Sequence, residues 1–125
     1  MITMLRNAYL VLVVMLAMPV VAQAQNYPAK TVRAIIPWPA GGSNDVVGRI
    51  VMQKLSESLG QQFIVDNRGG ASGSIGADVV AKAPADGYTI MVHSTTHLGN
   101  AHIYGKKLSY DTLRDFTGIG MLSAQ

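Results

Sequence analysis

The chain has 125 residues, 49% hydrophobic and 14% charged, with 13 glycines, no cysteine and a formal net charge of +3. That supplies a core for one domain and is too apolar for a disordered chain. The lack of cysteine excludes disulfide, iron–sulfur and zinc–thiolate sites, and with no basic run longer than Lys106-Lys107 there is no electrostatic footprint for DNA or RNA.

The first residues read as a secretory signal. Arg6 supplies a positive start, residues 8–21 (AYLVLVVMLAMPVV) form an apolar stretch of 14 residues, and Ala22-Gln23-Ala24 is a small-x-small cleavage site. A membrane span needs about 20 apolar residues, and no basic stop follows, which favours cleavage after Ala24 over an anchor. The expected division is a signal peptide over 1–24 and a mature chain over 25–125, exported to the periplasm. No cysteine follows the apolar stretch, so no lipid anchor is expected. Without Arg6 the chain keeps nine basic and seven acidic residues, a mild positive balance that suits an anionic small ligand.

Tyr27-Pro28 is an extended lead-in. Residues 31–38 (TVRAIIPW) are rich in branched and aromatic side chains and predict a strand that Pro37 ends. The turn WPAGGSND follows. Residues 46–59 then have a helical period, with Val47, Ile50, Val51, Leu55 and Leu59 on one face. Ser43, Asn44 or Asp45 can cap the start of this helix, and Gly60 can end it. Residues 62–66 (QFIVD) predict a second strand and 67–73 (NRGGASG) a glycine-rich loop. Residues 74–83 predict a short helix with Ile75, Val79, Val80 and Ala83 inward. Pro84-Ala85-Asp86-Gly87 is a turn, and 88–93 (YTIMVH) a third strand. Further on, 101–108 read as a short helix or turn, 110–116 as a turn, and 117–122 as a further strand.

The order is βαβαβ, which predicts an α/β lobe with a parallel sheet and right-handed crossovers. Ligands of such sheets sit beyond the carboxyl ends of the strands. WPAGGSND, NRGGASG and His93-Ser94-Thr95-Thr96 all fall at those ends.

In WPAGGSND, glycines let backbone N–H groups approach an anion, and the following helix adds its free amides and partial positive end. Ser43 and Asn44 add donors. The charge of Asp45 repels an anion, so it either caps the helix or accepts a hydrogen bond from a ligand amide, ammonium or bridging water. An ordinary capped turn is the plainer alternative. Trp38, the one tryptophan, either packs in the core or walls a pocket mouth. In NRGGASGSIG, Gly70, Gly73 and Gly76 lack dinucleotide-loop spacing, and no Gly-Lys-Ser/Thr makes a P-loop. Glycines that let a helix pack tightly on a sheet explain them better, and Arg68 reads as a solvated or salt-bridged residue. Ser94, Thr95 and Thr96 offer hydroxyls to a carboxylate or its waters. His93 and His97 are four apart but lack the glutamate of a zinc-protease helix. No G-x-S-x-G elbow supports a hydrolase triad.

Tyr27-Pro28, Pro39-Ala40-Gly41-Gly42 with Asp45, Leu59-Gly60-Gln61, Asn67-Arg68, Gly73 with Ile75-Gly76, and Asp86-Gly87-Tyr88 together resemble the start of Bug-type periplasmic solute-binding proteins. Asn100 with Tyr104, and Tyr110-Asp111 with Asp115-Phe116, extend the match. These proteins are the binding components of tripartite tricarboxylate transporters. The resemblance implies a two-lobed, flytrap-type binding protein of which this chain resembles most of the first lobe, the second being absent. It further implies that Trp38, Ala40, Gly41, Gly42, Ser43, Asn44 and Asp45, with Ser94, Thr95 and Thr96, hold a carboxylate, partly through ordered waters. Backbone amides of the first loop face that carboxylate, and Asn44 and residues 93–96 tune specificity. Ala101 departs from the family's usual proline, and Gly48 stands where alanine is commoner.

The expected function is therefore capture of a small organic carboxylate, delivered to membrane permease subunits or read by a sensor domain. No catalytic residue, metal, cofactor or nucleic acid is expected. The alternatives are an exported α/β hydrolase-type enzyme, a sensor component without transport, and a cytoplasmic nucleotide-binding domain.

Overall fold

A computed structural model describes residues 26–122. The expected signal peptide and its cleavage site lie outside those residues. Among the described residues no helix is long and apolar enough to cross a membrane.

Three strands form a parallel sheet: β1 (Val32–Ile36), β2 (Phe63–Asn67) and β3 (Thr89–Met91), in the order β2-β1-β3. The helices are α1 (Ser43–Leu59), α2 (Ser74–Ala81) and α3 (Thr96–Tyr104), with 3-10 turns at Ala71–Gly73 and Gly105–Lys107. The expected βαβαβ order and parallel pairing are found. Ile36 pairs with Asn67 on one side and Ile35 with Met91 on the other. The ladder continues past the strand ends through Arg68 N–H to Ile36 O (2.9 Å) and Val92 N–H to Ile35 O (3.0 Å).

β1 is central, and Val32, Ala34, Ile35 and Ile36 are fully buried. A strand covered on both faces reads as a continuous apolar run rather than an alternating one. Ala34, Ile36, Met52 and Val92 make the core between sheet and α1, flanked by Trp38, Val51, Leu55, Phe63, Val65 and Ile90. Ile36 meets α1 at Gly48, and its neighbour Pro37 meets α2 at Gly76. Successive side chains of a strand point to opposite faces, so the two helices cover opposite sides of the sheet. A Cβ at Gly48 would lie 2.6 Å from Ile36 Cδ1, and one at Gly76 would lie 2.6 Å from Pro37 Cβ. Both glycines bring a helix down onto β1.

Several boundaries and faces differ from the sequence reading. α1 begins at Ser43, three residues early, and its N-cap is Gly42, with no side-chain cap bond. Its buried positions are Asp45, Gly48 and Met52, whereas Ile50 and Leu59 are exposed. Val51 and Leu55 of the expected face do pack on the core, but a polar residue and a glycine share the inward stripe with Met52, which turns the buried face away from Ile50 and Leu59. α2 ends at Ala81 and buries Gly76 and Ala77, leaving Ile75 exposed; the small residues take the closest approach to the sheet. α3 starts five residues before the helix expected over 101–108. No strand forms over 117–122, where Ile119 and Met121 are exposed. A strand needs a pairing edge, and this segment meets none among the described residues. Gly60 does end α1, in the left-handed conformation, with its N–H on Ser56 O (3.1 Å).

Candidate functional site

All three strands run to the same edge, so the segments that follow them leave from one rim. The segment after β1 is a loop that folds on itself before α1. Gly41, at φ 84°, donates its N–H to Asp45 Oδ2 (2.8 Å), and Gly42 N–H reaches Pro39 O (3.3 Å). The first intrahelical bond runs from Val46 N–H to Gly42 O (2.9 Å). The two glycine amides are thus engaged within the loop. The amides of Ser43, Asn44 and Asp45 have no hydrogen-bond partner among the described residues. They are the free donors of the α1 N-terminus, where the helix end favours an anion.

Asp45 organises this loop. Its carboxylate is only 3% exposed. It accepts from Gly41 N–H, from Arg49 Nε (2.9 Å to Oδ2) and from Asn67 Nδ2 (2.9 Å to Oδ1). The Arg49 bond, then the Gly41 and Asn67 bonds, hold its pKa at about 2, below the ordinary 3.8. Of the two readings open from sequence, the helix cap does not match: the N-cap is Gly42 with no side-chain bond, and the Asp45 carboxylate takes three donors from within the chain. Arg49 Nη2 also donates to Asn67 Oδ1 (2.9 Å), and Asn67 Nδ2 to Trp38 O (3.0 Å). The end of β2 is thereby fixed to the loop after β1.

The second rim segment, 70–73, has four successive positive φ values: Gly70 125°, Ala71 46°, Ser72 53° and Gly73 84°. Ala71 and Ser72 are the non-glycine residues with positive φ among those described, a conformation that persists only when neighbours enforce it. Here Asn100 Nδ2 donates to Ser72 O (3.1 Å) and Tyr104 Oη to Ser72 Oγ (3.4 Å). Gly73 leaves room for the His93 ring, whose Nε2 would be 2.5 Å from a Cβ there. The packing explanation of Gly73 and Gly76 holds. Arg68 pairs with Asp66, as does Arg33.

The third segment turns from β3 into α3. Ser94 Oγ donates to Thr96 Oγ1 (3.0 Å), and Ser94 O accepts from His97 N–H (3.0 Å). Thr95 is exposed and is the N-cap residue of α3. Trp38 reaches this segment: its ring meets the edge of His93 at 5.7 Å. Trp38 also packs on the core, which fits the core reading, and its contact with His93 ties the core to this segment.

The first and third segments, which hold all the candidate residues, are brought together by Trp38 and His93. Ser43 and Ala40 are exposed and Asn44 is half-buried on this rim. Sequence reasoning missed Arg49, Asn67, Ser72 and Asn100, which hold the rim in shape. The four-residue spacing of Asp45 and Arg49 on a helix was a readable signal. Nothing local marked the contact between Asn100 and Ser72, 28 positions apart. No group of three or more metal-ligating side chains occurs among the described residues.

Residues 47–125 match the model of the family described as "Tripartite tricarboxylate transporter family receptor". The chain is 43% identical over 93 residues to the "UPF0065 protein in tcbD-tcbE intergenic region" of Pseudomonas sp. (strain P51), covering 74% of this chain and 27% of that protein. A structure described as that of a periplasmic transporter is 43% identical, with a TM-score of 0.68 over 70% of this chain and 30% of its own. MatC of Rhodopseudomonas palustris with bound malate is 36% identical, with a TM-score of 0.68 over 77% of this chain and 33% of its own. The chain thus spans about a third or less of the length of the proteins it matches.

Proposed function

Given that the chain belongs to the tripartite tricarboxylate transporter receptor family, in which it corresponds to an amino-terminal lobe, we propose that it captures a small carboxylate outside the cytoplasm for a membrane transporter. The observation that carries this reading is the trio of unpartnered amides at Ser43, Asn44 and Asp45, on a helix end held in place by Asp45. Such an end favours an anion by about 0.3–1 kcal/mol when exposed, and each hydrogen bond to a charged group adds roughly 1.5–3 kcal/mol. The hydroxyl of Thr96, which accepts from Ser94 Oγ, keeps its own proton to donate across the rim. Asn44 and residues 93–96 are the positions we assign to specificity. The malate bound by MatC supports a small dicarboxylate as the first ligand to try.

The mechanism we infer is capture without bond chemistry. Asp45, in the first turn of α1, already accepts three internal hydrogen bonds, so it is engaged as a structural anion and not poised as a general base. A surface that closes over the rim would exclude water and strengthen every bond to the bound anion.

Titration calorimetry tests this with a panel of mono-, di- and tricarboxylates and matched amides. It is run on the chain and on a chimera in which residues 26–122 replace the matching part of MatC. Saturable heat with carboxylates and none with the amides is the expected result. A folded chimera that binds no member of the panel removes carboxylate capture.

A further inference from the structure

Six buried side-chain polar atoms have no partner at normal hydrogen-bond geometry among the described residues. They are Trp38 Nε1, His93 Nε2, both ring nitrogens of His97, Asn100 Oδ1 and Tyr110 Oη. Buried polar groups are normally satisfied, and these are not scattered. Trp38 meets His93 edge-on, His93 meets His97 at 5.1 Å, and His97 stacks on Tyr110 at 6.0 Å with the planes 8° apart. Phe116 closes the far side, edge-on to His97 at 4.7 Å. One aromatic column therefore runs from the rim to the segment 110–116, with two imidazoles in its middle.

We propose that His93 and His97 are proton-dependent positioning residues: neutral, they hold Trp38, the β3–α3 turn and the 110–116 segment in one column, and protonated, they release it. The atomic basis is at His93 Nδ1. In the neutral Nε2–H tautomer that atom accepts the N–H of Ser94 (2.8 Å), while it also lies 3.0 Å from Ser94 O. A proton on Nδ1 removes the acceptor from Ser94 N–H and turns the ring into a donor toward Ser94 O. Ser94 O is the acceptor of His97 N–H in the first turn of α3. Protonation thus redistributes the backbone bonds of the rim itself. It also sets two like charges on adjacent rings in a buried site, which opposes a compact arrangement.

The groups acting on this column are few. His97 acts on His93, together with the backbone of Ser94 and Gly73, and the backbone of Thr112 acts on His97. At the far end burial acts most on Tyr110, followed by the Asn100 side chain, Asp78 and Tyr104. No carboxylate contributes to either imidazole. Burial, and for His93 the nearness of His97 as well, holds both below the ordinary histidine value. The folded column therefore favours neutral rings and is strained as the pH falls through the range below 6.5. The inference is independent of which ligand the rim takes.

Trp38 is the single tryptophan, and a protonated imidazole at its edge quenches indole emission. The test follows Trp38 fluorescence on the whole chain from about pH 8 to about pH 5, with circular dichroism reporting the fold. The expected result is a sigmoidal loss of emission with its midpoint below that of free histidine. That step is absent in His93→Gln and moves to higher pH in His97→Gln, where the like charge is gone. Emission that stays flat, or a step that survives unchanged in His93→Gln, overturns the proposal. Should either variant not fold, the unsubstituted chain decides: histidine ring-proton NMR is recorded alongside amide exchange of residues 94–97 and 110–116. The two segments losing protection together as the rings titrate supports the column. Protection that is independent of ring titration overturns it.

Discussion

Asn67 Nδ2 donates at once to Trp38 O (3.0 Å) and to Asp45 Oδ1 (2.9 Å), so the last residue of β2 holds both ends of the loop that follows β1. One amide thereby sets the distance between Trp38 and the start of α1. Asn67→Ala removes both bonds and the acceptor of Arg49 Nη2. Losing a few partly buried hydrogen bonds costs about 1–3 kcal/mol. The expected outcome is a lower urea midpoint with an unchanged m-value, and a larger loss in carboxylate affinity than in stability. Equal losses, or none in affinity, would count against Asn67 as the strut of the loop.

The two buried helix glycines separate packing from propensity. A Cβ at Gly48 meets the far end of Ile36, which can swing aside, whereas one at Gly76 meets Pro37 Cβ at 2.6 Å and Arg68 O, a backbone atom, at 2.8 Å. Gly48→Ala gains up to about 1 kcal/mol of helix propensity, which offsets the shift of Ile36, and is expected to be close to neutral. Gly76→Ala has no such yielding neighbour and is expected to cost about 1–3 kcal/mol through overpacking. Chemical denaturation of the two variants checks the ranking.

Much of this fold was legible, and the errors share a cause. The order of elements along the chain up to β3 and the Gly60 stop follow from local pattern, because β1 is an apolar run flanked by turn residues. The inward face of α1 was placed in part: Val51 and Leu55 pack on the core, but Asp45 and Gly48 are buried there too, for reasons of bonding and close approach that no hydropathy period contains. The strand expected over 117–122 failed because strand formation depends on a partner edge rather than on the segment itself. In the site, the loop residues were visible as glycines and small polar groups. Their scaffold of Asn67, Arg49, Ser72 and Asn100 is long-range and was not.

Asn100 is fully buried, and its Nδ2 supports Ser72 in the left-handed region. Asn100→Ala leaves Ser72 O without that donor and opens a cavity, at an expected cost of about 1–3 kcal/mol. Because the partner sits in a strained turn, Ser72→Gly in the same background is expected to recover part of the loss. A double-mutant cycle reads the coupling directly.

Acid stability has a direction set by Asp45. Its folded pKa of about 2 lies below the ordinary 3.8, so at pH values between the two the unfolded chain binds more protons than the folded one. The stabilising contribution is complete above the unfolded value and is lost as the pH falls through the folded one. Asp66, Asp78 and Asp111 are lowered too, by Arg33, by Lys82 and by the Leu113 amide first in each case, and act in the same sense. Stability measured against pH is expected to fall steeply below about pH 4. In Asp45→Asn that slope is expected to be shallower, from a lower starting stability. An unchanged slope would mean that the carboxylate is not charged in the folded chain.

Ser43 offers the cleanest separation of binding from folding. It is the first residue of α1, where proline is well tolerated because its missing N–H has no helical partner. Gly42 before it, at φ −73° and ψ 166°, already has the extended backbone that a following proline requires. Ser43→Pro is therefore expected to leave stability within about 0.5 kcal/mol of the parent while deleting one of the three free amides at the rim. If a carboxylate is held there, its affinity falls by about tenfold or more, the worth of a hydrogen bond to a charged group. Ser43→Ala keeps the amide and removes only the hydroxyl. Calorimetry with both variants therefore tells backbone capture from side-chain capture. A proline variant that binds as tightly as the parent places the anion elsewhere on the rim.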